Sequence, residues 1–177
     1  VYLLQGALQQ GLDHFQRSYA IAAELGQKTE MAAALEDQGA ALVELGRLQE
    51  ARGALERALA LAEEIHAPEA VLSSTAKLAD ALRRLGLRDQ ALSLLERSLE
   101  AGERAEDVPP LVPTRRQIAM LRLEAGDAAA ALEMSERAAE AARRFELREE
   151  LWPALLVAGQ ALLALGQPER AEARLRE

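Results

Sequence analysis

Hydrophobic residues recur three or four positions apart along the chain, and glycine interrupts them at a fixed interval. A three-to-four spacing places apolar side chains on one face of an α-helix. Five glycines, Gly6, Gly46, Gly86, Gly126 and Gly166, stand 40 residues apart. A period of this length indicates a repeat array in which each unit packs against its neighbours.

Each repeat is predicted to consist of two helices joined by a tight turn. In the second repeat, Thr29 is placed to cap the first helix, because a hydroxyl can accept a hydrogen bond from a free amide there. Gly46 ends that helix in the left-handed conformation that glycine adopts at low cost. A second helix then covers about 48–65. Pro153 and Pro168 are expected in the first turns of two later helices, where proline is tolerated.

Small residues keep the same register as the glycines. Five positions after each of them stand Gly11, Ala51, Ala91, Ala131 and Ala171. Seven positions before the last four stand Gly39, Ala79, Ala119 and Gly159. Small side chains at fixed positions are expected where two helices approach closely.

The whole pattern resembles the tetratricopeptide repeat. The residues that carry the resemblance are Leu35-x3-Gly39-x2-Leu42-x3-Gly46-x4-Ala51-x3-Leu55-x2-Ala58 and, again, Gly159-x2-Leu162-x3-Gly166-x4-Ala171-x3-Leu175. The unit of about 40 residues is similar to the extended variant in bacterial signalling and transcription regulators. HEAT and armadillo units have comparable lengths but lack the glycine-then-alanine register. The resemblance implies an all-α fold, a right-handed superhelix of about nine helices in antiparallel pairs.

The register predicts a single solenoid over residues 1–177. A partial repeat, three repeats and an incomplete last repeat are expected at 1–28, 29–67, 68–108, 109–148 and 149–177. Val1 falls near the end of a first helix and Glu177 inside a second, which suggests a piece of a longer chain. The proline-rich segment Asp107–Pro113 is expected to connect the third and fourth repeats, either as a stiff linker or as a bend that changes the pitch.

Composition excludes several classes of function. The net charge of −8 argues against a nucleic-acid-binding module. No run of 18 apolar residues is present, so no membrane span is expected. The chain has no cysteine, and a cytoplasmic location is the default for a repeat array without disulfides.

Catalytic motifs are absent from the sequence. It contains no glycine-rich phosphate loop. His14 and His66 lie on different repeats without a partner at metal-ligand spacing, so both are expected on helix surfaces. Trp152, next to Pro153, is expected to be a packing residue at a helix start. We therefore expect no enzyme activity, no metal and no cofactor.

The resemblance also implies a ligand surface, since in this family the first helix of each repeat lines a concave groove. The groove positions of the last three repeats that we expect to bind a partner are Lys77, Asp80, Arg83, Arg84, Arg116, Gln117, Met120, Leu156, Val157, Gln160 and Leu163.

These positions run from basic to apolar, which predicts a protein or peptide partner with acidic residues beside an apolar anchor. The alternative is that the arginines pair within the chain, because Asp80 lies one helical turn from Arg83 and Arg84. The predicted function is a non-catalytic protein- or peptide-binding module, the interaction or sensor part of a larger bacterial regulator. The other hypothesis is a scaffold that assembles, or self-associates end to end, through its repeats.

Overall fold

The computed structural model describes residues 2–104 and 111–176, and in this part of the chain the regular structure is entirely helical. The helices are α1 (Tyr2–Glu24), α2 (Lys28–Glu44), α3 (Leu48–Glu64), α4 (Pro68–Arg84), α5 (Arg88–Arg104), α6 (Val112–Glu124), α7 (Ala128–Arg144), α8 (Arg148–Ala164) and α9 (Pro168–Leu175). The predicted all-α fold and the predicted number of helices are confirmed for the described residues.

One backbone conformation ends the helices. The middle residue of each described three-residue turn has φ between 54° and 84°. These residues are Gly26, Gly46, His66, Gly86, Gly126, Glu146 and Gly166. The underlying interval is therefore 20 residues, half of the glycine period, because His66 and Glu146 take the place of glycine at turns between repeats.

The turns share a hydrogen-bond pattern that closes the last helical turn. After α2, the amide of Gly46 donates to the carbonyl of Val43 over 3.0 Å, and the amide of Arg47 donates to the carbonyl of Leu42 over 2.9 Å. This pair of bonds is the Schellman arrangement, which requires a left-handed residue and satisfies carbonyls that the helix leaves open. A three-residue turn of this kind reverses the chain, so consecutive helices run antiparallel.

Helix starts differ from the expectation in two places. Thr29 does not cap α2, because the helix already begins at Lys28 after Gln27, whose side chain makes no capping bond. Pro153 lies inside α8, which begins at Arg148, and not in its first turn. Pro168 does begin α9, as predicted.

The first repeat also departs from the prediction. Gly6 does not end a helix, since it lies within the continuous helix α1, which ends before Gly26. Residues 107–110 of the predicted proline-rich connector lie outside the described residues. Its last residue, Pro113, lies in the first turn of α6.

The helices form two compact units, Val1–Leu94 and Leu95–Glu177, with the boundary inside α5. In the first unit α1 packs on α2, α2 on α3 and α3 on α4, and α2 also contacts α4. In the second unit α6, α7, α8 and α9 pack in the same sequence, and α6 also contacts α8. In each unit, therefore, the first helices of adjacent repeats lie side by side.

Small residues set the distance between the paired helices. Ala51, Ala91 and Ala131 are completely buried, as the register predicts. A Cβ atom on Gly39 would lie only 2.4 Å from Cγ of Leu55, which is itself buried. The backbone of α2 therefore contacts a leucine of α3 directly. A residue larger than glycine at position 39 would clash with Leu55 at this distance.

The partner of this small residue changes along the chain. In the last repeat, a Cβ on Gly159 would lie 3.1 Å from Leu175, which stands at the position equivalent to Leu55. In the fourth repeat the small residue is Ala119, and its equivalent partner position holds Ser135 instead of leucine. In the third repeat the two positions hold Ala79 and Leu95, so the combination of residues differs from repeat to repeat.

We predict that Gly39→Ala lowers the free energy of unfolding by about 1–3 kcal/mol, because the added methyl overpacks a close contact. The control is Gly53→Ala on the exposed side of α3, where an added Cβ meets nothing within 4 Å. That change should raise the free energy of unfolding by about 0.5–1 kcal/mol, since alanine is the better helix former. Urea denaturation followed by circular dichroism measures both. Stabilisation of both variants would contradict the close contact.

Candidate functional site

The first helices of the first unit are joined by a polar cluster around Glu36 of α2. Ser73 and Ser74 of α4 donate hydrogen bonds to its two carboxylate oxygens over 2.7 and 2.8 Å. The ammonium of Lys77 donates to the same carboxylate. Ser74 is buried, and the side chain of Glu36 is only 16% exposed. Three donors from one helix thus converge on one acid of its neighbour.

The surroundings of Glu36 act on its pKa in opposite directions. Burial raises the pKa of the carboxyl, because it disfavours the charged form. The hydrogen bonds from Lys77, Ser73 and Ser74, together with the positive charge of Lys77, lower it. Their sum holds the pKa of Glu36 below its ordinary value. The charged form is therefore the one that stabilises the contact between α2 and α4.

The predicted arginines of α4 are also engaged within the chain. Arg83 and Arg84 each contact Asp80 at 2.9 Å. Arg84 in addition lies 3.3 Å from Glu44 of α2. In this structure Asp80 and both arginines are thus paired within the chain, as in the alternative interpretation.

The cations predicted for a partner's carboxylate in the first unit are Lys77, Arg83 and Arg84, and each has an acidic partner here. An acidic ligand at this place would have to displace Glu36, Asp80 or Glu44. The basic part of the predicted surface is therefore neutralised by the acids of the same and the preceding repeat.

Arg116 of α6 is the corresponding cation of the second unit. Its Nε lies 3.5 Å from Oε2 of Glu150 in α8, and its Nη1 lies 3.7 Å from the sulfur of Met120. Neither Nε of Arg116 nor Oε2 of Glu150 makes a hydrogen bond within the described part of the chain, although both atoms are buried. Gln117, next in α6, is partly buried. This ion pair is looser than those of the first unit.

Helix α8 carries the largest exposed apolar side chains among the predicted site residues. Leu156 is 40% exposed and Leu163 is 56% exposed, with Gln160 exposed between them. Val157 is buried at 4%, so its side chain is part of the core and not of an open surface. Trp152, expected as a packing residue, is instead 55% exposed.

Trp152, Leu156 and Leu163 form what we call the α8 stripe. Their spacings of four and seven residues place them on one side of the helix. The sequence prediction misses Trp152 as a surface residue because it places the helix start at the neighbouring Pro153. The helical spacing between Trp152 and Leu156 is the signal that identifies it.

The repeat register shows which residues of α2 occupy the positions equivalent to the α8 stripe. The three residues stand 120 positions after Ala32, Glu36 and Val43 of α2. Ala32 and Val43 are buried, and Glu36 contacts α4. The side of α8 that carries the stripe is thus the side on which α2 meets a neighbouring helix.

Other candidate chemistry is sparse in the described part of the chain. No group of three or more metal-ligating side chains occurs there. His14 and His66 are both exposed, and His66 occupies a turn position. Within residues 2–104 and 111–176, none of the helices has the length and apolar character needed to cross a membrane.

Comparison with known proteins identifies a family and a fold. The family model described as tetratricopeptide repeat matches residues 1–64 and 69–144. No curated protein matches the chain in sequence.

Solved structures show the same fold. A Podosopora anserina kinesin light chain-type protein with nearly identical TPR-like repeats is 21% identical, with a TM-score of 0.73 over 99% of this chain and 87% of that one. BtubC (BKLC) from P. vanneervenii is 15% identical, with a TM-score of 0.68 over 96% and 89%. A Rap protein in complex with competence and sporulation factor is 13% identical, with a TM-score of 0.74 over 99% and 52%.

We predict that Glu36→Gln lowers the free energy of unfolding at pH 7 by about 1–3 kcal/mol, because three hydrogen bonds lose their charged acceptor. Glu44→Gln, the same change on the same helix, removes one contact of an acid that is 60% exposed and should cost about 0–1 kcal/mol. Urea denaturation at a series of pH values measures both differences.

The pH dependence follows from the lowered pKa. The folded state holds the Glu36 proton less tightly than the unfolded state, so stability is lost as the pH falls through the folded pKa. The native chain should therefore approach Glu36→Gln in stability as the pH falls below the ordinary glutamate pKa and through the lowered pKa of the folded carboxyl. A difference between the two proteins that stays constant down to acidic pH would show that the charge of Glu36 does not stabilise the contact.

Proposed function

The chain belongs to the tetratricopeptide repeat family, and on that premise we propose that it is a non-catalytic module that binds another protein or a peptide. As part of the same proposal, it is the interaction or sensor part of a larger bacterial signalling or transcription regulator in the cytoplasm. The sequence of the full-length gene tests this wider role, because an output domain beside the repeats would name the pathway.

The observation that carries the proposal is the α8 stripe. Large apolar side chains that are 40–56% exposed lie together on one side of a first helix. Burying a side chain of this size contributes about 1.5–3 kcal/mol, so a few such residues dominate a protein interface. Clustered exposed apolar residues are typical of interaction sites.

The charged residues of the first helices support a binding role and not a reaction. Glu36, whose pKa is shifted, uses its carboxylate to join α2 to α4. Asp80 likewise pairs with Arg83 and Arg84. These contacts organise the surface on which a partner would lie, and the proposal needs no catalytic residue, metal or cofactor.

The chemistry of the partner follows from the same contacts. An apolar anchor on the α8 stripe is the main recognition element in this proposal. The predicted acidic residues of the partner stay a prediction, because they must compete with Glu44 and Asp80 for Arg84, or with Glu150 for Arg116. The looser pair, Arg116 with Glu150, is the more readily displaced of the two. The net charge of −8 disfavours nucleic acid as a partner.

A scaffold that assembles through its repeats is the second candidate function. The specific observation in its favour is that the α8 stripe lies on the side where, in α2, a neighbouring helix is contacted. A helix of another subunit would fit that position as well as a peptide would.

We predict that the double change Leu156→Ser, Leu163→Ser weakens partner binding by at least about a hundredfold, because two anchors that each contribute about 1.5–3 kcal/mol when buried are lost. The partner is captured on the immobilised native chain, identified by mass spectrometry, purified, and titrated in a calorimeter. Ala129→Ser on the exposed side of α7 is the matched control and should bind like the native chain. Equal affinity of the double variant and the native chain would place the partner elsewhere.

A further inference from the structure

The contact between α5 and α6, which joins the third and fourth repeats within the second unit, differs in composition from the next contact of the same kind. Between the fourth and fifth repeats, α7 and α8 share an apolar cluster whose members include Ala138, Ala139, Ala142, Ala154 and Leu155, each at most 1% exposed. The residues 40 positions earlier, in α5 and α6, are Ser98, Leu99, Gly102, Thr114 and Arg115. Serine, threonine and arginine thus replace three of the five apolar residues.

A second leucine position of α6 is also occupied by arginine. Arg122 stands at the position of Leu42, Leu82 and Leu162, which are 3%, 5% and 0% exposed. Its own side chain is 35% exposed. Because Arg115 and Arg122 are seven residues apart, they lie on the same side of α6. This helix therefore presents two arginines where α2 and α8 present buried leucines.

The two arginines of α6 pair with two acids of α5. Arg115 donates through Nη2 to Oε1 of Glu103 over 3.1 Å, and Arg122 donates through Nη2 to Oε1 of Glu96. The acids are likewise seven residues apart, so the pairs connect the two helices at two levels. Glu96 and Glu103 are 45% and 47% exposed, so both pairs are in contact with water. Ion pairs of this kind contribute little to stability.

The remaining contacts of α5 are of mixed quality. At the end of the helix, Leu111 packs directly against Gly102, where an added Cβ would lie 2.8 Å from its Cδ1. In the middle of the helix, Oγ of Ser98 is buried and makes no hydrogen bond within the described part of the chain. A buried hydroxyl without a partner lowers the stability of the contact in which it lies.

We infer that the α5–α6 contact is an opening step built into the array, held closed by the two ion pairs and released by salt while the helices on either side stay folded. In a repeat array each contact between neighbours contributes its own share of stability, so one weak contact opens locally. Arginine at a leucine position forfeits the burial of an apolar side chain, and a half-exposed ion pair does not replace it. Because salt screens charges that contact water, opening should increase with ionic strength.

A thiol placed at the contact measures the opening, because the chain has no cysteine of its own. Ser98→Cys puts a sulfur where Oγ is buried, and Ala138→Cys and Ala58→Cys are the controls at the equivalent positions of α7 and α3. The uncharged reagent methyl methanethiosulfonate, at fixed pH, labels each thiol when it becomes exposed. Labelling at position 98 should be at least about tenfold faster than at either control, since local opening requires less free energy than unfolding.

Two further conditions show whether the opening is local and electrostatic. Low concentrations of urea should accelerate labelling of the two controls but not of position 98, because little surface is exposed in a local opening. Raising the salt concentration from about 0.05 to about 0.5 M should accelerate labelling at position 98 about twofold to fivefold and leave the controls unchanged.

Restoring the leucines of the other repeats should close the contact. In the Ser98→Cys chain, Arg115→Leu together with Arg122→Leu should slow labelling at least about tenfold and remove its salt dependence, since apolar burial replaces the ion pairs. Arg122→Leu alone should act in the same direction with a smaller effect. Arg137→Leu is the control, because it removes an exposed ion pair with Glu133 inside α7 and should change neither quantity.

Labelling at position 98 that matches the controls in rate and in urea dependence would overturn the opening step. Faster labelling that neither salt nor the restored leucines alter would show that the ion pairs do not hold the contact, and would overturn the inference as well.

Discussion

The backbone conformation at the turns is the constraint on which the rest of this structure depends. At each described turn between two helices, a left-handed residue ends the preceding helix and reverses the chain within three residues, and these residues are spaced by 20 positions or a multiple of 20. Because the interval is constant, helices of 17 residues alternate in direction, and within each unit the first helices of adjacent repeats come to lie side by side. The polar cluster at Glu36 and the position of the α8 stripe both follow from that adjacency.

The architecture was predictable from sequence because it is repeated. Gly46, Gly86, Gly126 and Gly166 each end a helix, and the alanines that follow them are buried. Local errors arise where another residue type takes over a position. His66 and Glu146 adopt the left-handed conformation without being glycine, so the 20-residue interval is not visible in the sequence. The prediction misplaces Pro153 because proline is compatible with a first turn but does not require one.

The candidate site was predictable only in part, for a different reason. Periodicity identifies which positions of a first helix face outwards, and Leu156, Leu163 and Gln160 are indeed exposed. It does not show whether a charged residue is free or paired. Lys77 meets Glu36 over 41 residues of sequence, and Arg84 meets Glu44 over 40. Such pairs depend on how two helices are placed and on the rotamers of long side chains. Val157 shows the same limit for apolar residues, because it is buried although it directly follows the exposed Leu156.

The close contact of Gly39 with Leu55 has a consequence for how such a chain can evolve. Glycine on the first helix accompanies leucine on the second in repeats two and five, whereas alanine accompanies leucine in repeat three and serine in repeat four. A recombination event that placed the first helix of repeat four against the second helix of repeat two would bring an alanine to the contact that Gly39 makes with Leu55, and the opposite exchange would leave a void beside Ser135. Moving both helices together preserves the contact that each pair already makes. Exchange of a whole helix pair is therefore expected to disturb the array less than exchange of a single helix between these two repeats.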